Sequence, residues 1–315
     1  MADRAPAFFD FVKERERVRL RKEADLIALE NFEEPQGPPW TDDQILQDYK
    51  FTNVRRHHDR TSRVLREKFY DKHFTGDRRS MLMNCAIFRY FGTSEFAEAI
   101  GWTDFEDMTF EHWEMVKETA ETRLREKERV FTGAYVITNQ GISAPKQEVV
   151  VDYFLKSLQD AIPEILEITQ KTNSWEQVAT RMRRINGFGG SGFMTKEILL
   201  DTTYMGFWND TKDHPEDGKF SFPSDWWDWT PIGPGARRGA ARVLGDDDAR
   251  AVSESKAGET IKFLGLDQDF RDMEPLTEPL APHDIQFQLC EFDKYERVRL
   301  GQGKPRSRFR ANLRP

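Results

Sequence analysis

The sequence predicts a mainly α-helical chain with few short strands, on three observations. Apolar residues recur at helical spacing through most of its length, as in Ile45, Leu46 and Tyr49. Two Ser/Thr-x-x-Gln signatures, Thr41 with Gln44 and Ser174 with Gln177, mark helix starts. Only Val130 to Thr138 and Val149 to Phe154 are β-branched runs.

Taken in order, Phe8 to Ala28 reads as a surface helix among many charges, and Glu33 to Pro39 as a Pro/Gly linker. A helix is expected from Thr41, with Asp42 and Asp43 suiting its first turn. Further helices are expected over Asn53 to Tyr70, Ser80 to Phe91 and Phe105 to Lys127. Two more fall within Pro145 to Lys171, broken near Pro163. Ser174 to Arg184 and Met194 to Thr203 complete the middle of the chain. Residues 246–272, with Asp246, Asp247 and Asp248 in a row, read as a surface insertion. Residues 296–315 read as a flexible basic arm: Lys294 to Pro315 holds eight Lys or Arg against one acid, Glu296. The whole, 1–315, is expected to be one catalytic unit with two helical lobes.

The net charge of −8 argues against a protein coated in nucleic acid but permits one local basic face. No stretch approaches the roughly 18 apolar residues of a membrane span. Cys85 and Cys290 are too few for a disulfide framework, which points to a reducing compartment. No histidine or cysteine has partners at ligand spacing, so neither a metal nor a cofactor is expected, and no Gly-x-x-x-x-Gly-Lys-Ser/Thr phosphate loop occurs.

Three constellations carry chemistry. The first is Ile185 to Phe193, whose Gly187-Phe188-Gly189 turn between two helices is a helix-hairpin-helix arrangement. Gly187, Gly189 and Gly192 would expose backbone amides to a DNA phosphate; an ordinary interhelical turn is the plainer reading. The second is Phe220 to Gly239, with five aromatics within ten residues. Trp226, Trp227 and Trp229 could sandwich an extruded base, or simply close the core. Asp225 and Asp228 lie among them, where burial would suit a general base. Arg237 and Arg238 follow at a helix start, a pocket for phosphate or pyrophosphate. The third is Asn53, Arg55, Arg56, Asp59 and Arg60, either an ion-pair network or, through Asn53, Arg56 and Arg60, a phosphate contact.

Pro39 to Asp43 with Ile45-Leu46, then Phe51 to Arg56 and Asp59-Arg60, resembles the opening motif of the alpha-glutamyl/putrescinyl thymine pyrophosphorylases. These are also called amino acid:DNA transferases and are related to the helical domain of hydroxymethyl-deoxyuridine DNA kinases. Phe131 to Tyr135, Gly187 to Phe193 with Asp201 and Tyr204, Gly233 to Gly239 and Leu289 to Tyr295 extend the resemblance along nearly the whole chain. The resemblance implies a DNA-glycosylase-like helix-hairpin-helix fold and displacement of phosphate or pyrophosphate from hydroxymethyluracil in DNA by an amino acid or amine. Typical members act on bacteriophage DNA. The implied partners are DNA containing modified thymine, the amine co-substrate and a separate DNA kinase acting upstream, with no membrane. The implied location is the cytoplasm, the host's if phage-encoded, or a eukaryotic nucleus. The alternatives on the same fold are a glycosylase using Asp228 at an oxocarbenium ion, and a non-catalytic reader of modified DNA.

Overall fold

A computed structural model describes residues 3–190, 192–214, 218–268, 272–305 and 307–309. It is mainly helical and divides into two compact units. One is contiguous, Arg60–Pro231; the other joins Met1–Asp59 to Ile232–Pro315.

The discontinuous unit is built on α1 (Ala5–Glu30), α2 (Gln44–Asp48), α11 (Pro234–Val243), α12 (Glu254–Asp267) and α13 (Pro282–Arg299). The helix expected at the surface, α1, buries Phe8, Phe9, Phe11 and Val12 in the unit's core with Ala240, Ile261 and Phe292. Phe8 meets the Phe292 ring edge-on at 5.7 Å. The cap of α2 is Asp43 rather than Thr41: its Oδ1 accepts from the amides of Ile45 at 2.8 Å and Leu46 at 3.1 Å. Asp wins because its carboxylate reaches two orphan amides of the first turn.

Two readings of this unit are corrected. Residues 246–272 hold α12, capped by Ser253 and burying Ala257, Ile261 and Leu264, so the stretch contributes to the core; residues 269–271 lie outside the described residues. The basic arm begins inside α13, which runs to Arg299. Beyond it the chain is tied down, because Ser307 and Phe309 bond the backbone of Lys50 and Asp48, and Arg308 lies over the Tyr49 ring. Arg306, Arg310 and Arg314 lie outside the described residues.

At the start of α13 the buried Asp284 accepts from the Ala281 amide at 3.2 Å and pairs with His283 at 3.2 Å and Arg55 at 3.5 Å. Burial pushes its carboxyl up, but His283, Arg55 and His57 outweigh that and hold it at about 2. A lowered carboxyl stabilises the fold above its unfolded value near 4, and the gain is lost as pH falls through about 2. Asp284→Asn is therefore expected to cost about 2 kcal/mol near neutral pH. In urea titrations across pH, the gap to the parent should close near pH 2; a gap that stays constant would refute this origin.

The contiguous unit surrounds α4 (Arg78–Phe91), of which Met81, Leu82, Met83, Cys85, Ile87, Phe88 and Phe91 are buried. Asp77 caps it, and Gly92 ends it at φ +74°. Around it stand α3 (Arg60–Leu65), α5 (Ser94–Ile100), α6 (Phe110–Arg125), α7 (Lys146–Glu148), α8 (Lys156–Thr172), α9 (Trp175–Met182) and α10 (Phe193–Thr202). Residues Asn53 to Tyr70 are no single helix. A 3₁₀ turn, Arg56–His58, breaks at the extended Asp59, and α3 passes into a π-helical turn, Arg66–Tyr70.

Lys146 to Thr172 is continuously helical, with Pro163 inside α8 and a π-helical segment over Val149–Leu155. That segment holds the β-branched run Val149 to Phe154, a strand signal inside the stretch expected to be helical. Val149, Val150, Val151, Phe154 and Leu155 are all buried, so tertiary packing overrides the local preference. Val130 to Thr138 forms no strand either. The strands among the described residues are β1 (Asp210–His214) and β2 (Gly218–Phe222), antiparallel with Lys212 opposite Phe220.

Candidate functional site

In the contiguous unit, α9 and α10 flank the glycine turn. Ser174 starts α9 by accepting the Gln177 amide at 3.2 Å, and Gly192, at φ +72°, starts α10. Between them Phe188 is fully buried, its ring 5.2 Å from that of Tyr90 and edge-on. Gly187 sits at φ +91°, where a Cβ would come within 2.3 Å of the Phe154 ring, so no larger residue fits. Thr195 locks the turn to α10 by donating to the Phe188 carbonyl at 2.9 Å, and Arg183 donates to the Gly190 carbonyl at 3.1 Å. The Phe188 amide turns inward to Ile185 at 3.1 Å. The amides of Gly187, Gly189 and Gly190 have no acceptor among the described residues; Ser191 lies outside them. Beside the turn runs a groove of about 290 Å³ lined by Ser157, Asp160, Arg181, Arg184, Ile185 and Asn186. Of its two guanidinium groups, Arg181 is paired with Glu164 at 2.6 Å. The Gly192 amide, expected to face a phosphate, instead donates to the Gly189 carbonyl at 3.4 Å. A glycine turn with amides left over, beside arginines, can take an anion.

A buried polar network supports this hairpin, and the sequence reading missed its centre. Arg89 on α4 donates to both oxygens of Asp201 on α10, at 2.6 and 2.5 Å, and to Ser62 at 3.0 Å. Tyr70 donates to Asp201 at 2.8 Å, and Glu197 lies 4.0 Å from the guanidinium. Burial works against the Arg89 charge, but Asp201 and then Glu197 outweigh it and raise its pKa well above the ordinary arginine range. Burial also pushes the Tyr70 phenol well up, which keeps it a donor. The resemblance had pointed to Asp201 alone. An arginine between Phe88 and Tyr90, in a helix otherwise so apolar, was the available signal. The Phe131 to Tyr135 segment joins from the other side: the Tyr135 hydroxyl donates to the Arg89 carbonyl, and Thr132 and Tyr135 occupy the space a Cβ on Gly92 would need.

The aromatic stretch divides differently from expectation. Asp225 is an anchor: it accepts from Ser174 Oγ at 2.7 Å and from the amides of Trp175 and Glu176 at 2.7 and 2.9 Å, closing the first turn of α9. Its oxygens are committed to those donors. Trp226 is core, stacked on Trp175 at 5.3 Å and against Phe222 at 4.7 Å. Trp229 is half-buried, and Trp227 is 55% exposed. Asp228 is exposed, so the burial on which its base role was argued is absent. Arg60 is exposed at the start of α3.

The discontinuous unit holds the other candidates. Arg237 donates through Nε to the Val252 carbonyl at 2.6 Å. Arg238 reaches Asp293 at 2.9 Å, and Arg242 and Arg297 approach the same carboxylate at 3.4 and 3.6 Å, so three guanidinium groups gather on one buried acid. Such a cluster keeps positive charge in excess. Arg56 pairs with Asp59 and lies over the Phe287 ring at 4.9 Å. Asn53 closes the same turn, its amide donating to Asp59 at 3.0 Å and its side chain to the His58 carbonyl at 2.7 Å. Here the ion-pair reading describes the contacts. Gly187 and Trp227 thus belong to one unit and Arg237 to the other.

A family model described as the helical domain of 5-hmdU DNA kinase matches residues 3–304. A 5-hmdU DNA kinase of Bacillus phage SP10 is 27% identical over 284 residues, covering 82% of this chain and 40% of that protein. The chain therefore spans well under two thirds of that relative's length. No solved structure matches the chain. No described helix is long and apolar enough to cross a membrane.

Proposed function

The chain belongs to the 5-hmdU DNA kinase helical-domain family, and from that premise we propose that it acts on hydroxymethyluracil in DNA, exchanging a phosphate or pyrophosphate on the base for an amino acid or amine. The observation that carries contact with DNA is the hairpin. Phe188 is buried as its hydrophobic wedge, and the Gly187, Gly189 and Gly190 amides have no acceptor among the described residues. This supports a helix-hairpin-helix element that grips a phosphate of one strand, with Gly192 opening the second helix.

In the proposed reaction the amine nitrogen attacks the methylene carbon on the pyrimidine ring. The carbon–oxygen bond to the phosphate breaks, the phosphate leaves with the electron pair, and the amine sheds a proton. Asp228 is the carboxylate proposed to take that proton, since Asp225 is engaged at α9. Trp227 is the exposed ring proposed to meet the base. In the discontinuous unit Arg238, with Arg242 and Arg297 gathered on Asp293, and its chain neighbour Arg237 are proposed as contacts to a DNA phosphate, as are Asn53 and Arg56. Arg60 is proposed as a phosphate contact of the contiguous unit. The phosphorylated base would come from a separate kinase.

A second reading, the phosphorylation step itself, is favoured by the name of the phage relative. One experiment separates the two. DNA carrying hydroxymethyluracil, with ATP, and DNA carrying its pyrophosphorylated form, with mixed amino acids and putrescine, are each incubated with the protein. Their nucleosides are then weighed by mass spectrometry. The transferase reading expects an amine adduct and release of pyrophosphate from the second DNA only. A phosphorylated nucleoside from the first would replace that reading with the kinase one, and abasic sites would point to base excision instead.

A further inference from the structure

Beside the hairpin, two aromatic rings touch each other without being buried. Phe193, the first residue of α10, is 37% exposed, and its ring meets that of Tyr135 at 5.1 Å, edge to face. Tyr135 is half-exposed, fixed by its hydroxyl on the Arg89 carbonyl and seated over Gly92. Next to it Val136 is 75% exposed. Behind the Tyr135 segment, Phe131 stacks on Phe91 at 5.3 Å, so the segment is braced against the unit's core. Tyr90 adds a buried hydroxyl with no hydrogen-bond partner among the described residues, and its ring packs on the hairpin's own Phe188. Core packing accounts for Phe188, Tyr90 and Phe91, but it leaves the solvent-facing surfaces of Phe193, Tyr135 and Val136 without a role.

We infer that Phe193 and Tyr135 form a stacking platform for an unpaired nucleobase of the strand whose phosphate rests on the hairpin amides. The inference rests on the proposed contact between that hairpin and DNA. Its reach is set by the chain. Gly190 and Phe193 are three residues apart, at most about 11 Å, or roughly three nucleotide steps of one strand. A platform of this kind is indifferent to base identity, because every base has a π face. Arg183 and Arg184 lie in the same turn, the first bonded to the Gly190 carbonyl and the second lining the groove, so the platform adjoins positive charge.

The test compares three DNAs of one sequence: an intact duplex, the duplex with a single bulged thymine, and the single strand. Binding is measured by fluorescence anisotropy at fixed salt. The parent is expected to favour the bulged duplex and the single strand over the intact duplex by about fivefold, the low end of one stacked base. Phe193→Ala should abolish that preference while leaving intact-duplex affinity within about twofold. Phe193→Leu, which keeps apolar bulk without a π face, should behave like the alanine variant, and Phe193→Trp should restore the preference with its fluorescence quenched by the bound base. Equal binding of all three DNAs by the parent, or a preference that survives Phe193→Ala, would overturn the platform and leave the hairpin reading standing. Failure of the parent to bind any of them would overturn both.

Discussion

Gly239→Ala is expected to destabilise the discontinuous unit by about 3 kcal/mol or more. At this point α11 crosses α13 so closely that a Cβ on Gly239 would lie 2.0 Å from the Leu289 carbonyl oxygen. That obstacle is backbone in the middle of a helix and cannot rotate away, so the helices must part by more than an ångström. Parting them loosens the Ala236, Ala240 and Leu289 contacts of the shared core. It also draws Arg238 and Arg242 from Asp293, leaving a buried carboxylate short of partners. The ordinary helical gain of Gly→Ala, about 1 kcal/mol, is too small to offset this. Gly258→Ala and Gly265→Ala in α12 are the controls, since their added methyls would meet only Ile232 and Ile285 side chains at 3.5 and 3.7 Å. Both should be neutral or slightly stabilising. Thermal and urea unfolding of the three variants checks the contrast; equal effects would show that close helix approach at Gly239 is not what matters.

Arg89→Ala is expected to cost the contiguous unit about 3–5 kcal/mol. Arg89, Asp201 and Glu197 are all buried, and the arginine is the cation that both carboxylates face. Its removal strands Asp201 with the Tyr70 hydroxyl alone of its two side-chain donors. The loss should lower the melting temperature of a unit this size by roughly 10 °C. Replacing Arg89 and Asp201 together, as Arg89→Met with Asp201→Leu, should recover part of the loss, because that apolar pair needs no compensation in the interior, while Glu197 still loses the guanidinium it faces. A double variant no more stable than Arg89→Ala would show that the network's shape, rather than its charge balance, is what the fold requires. Since α10 carries both Asp201 and the hairpin's second helix, DNA binding should follow stability in this series.

The helices that announce themselves chemically were legible. Ser174 with Gln177 marks α9, the Gly187-to-Gly192 run marks the turn, and the apolar residues of α4 mark a central helix. What escaped was decided at a distance. The π-helical segment Val149–Leu155 lay within a stretch expected to be helical, but its valines favour a strand locally and only their burial decides against it. The sequence Asp-Thr-Lys-Asp-His of β1 has no apolar alternation to betray a strand, and pairing with β2 alone defines it. Asp225 looks catalytic among tryptophans because the amides it satisfies belong to residues about 50 positions earlier. Arg238 lies near the start of α11 as expected, yet its partner Asp293 lies 55 positions later, beyond any local pattern.

One unit joins two segments, Met1–Asp59 and Ile232–Pro315, that are separated in sequence by the whole of the other, Arg60–Pro231. During synthesis, Phe8, Phe9, Phe11 and Val12 leave the ribosome before the α11 and α13 residues that cover them exist. At roughly 5–20 residues per second, some ten to sixty seconds separate the first segment from its cover. The intervening stretch can close on its own in that time, while the leading helix waits with a greasy face in water, so a holdase that shields this amphipathic segment should raise the yield of native protein.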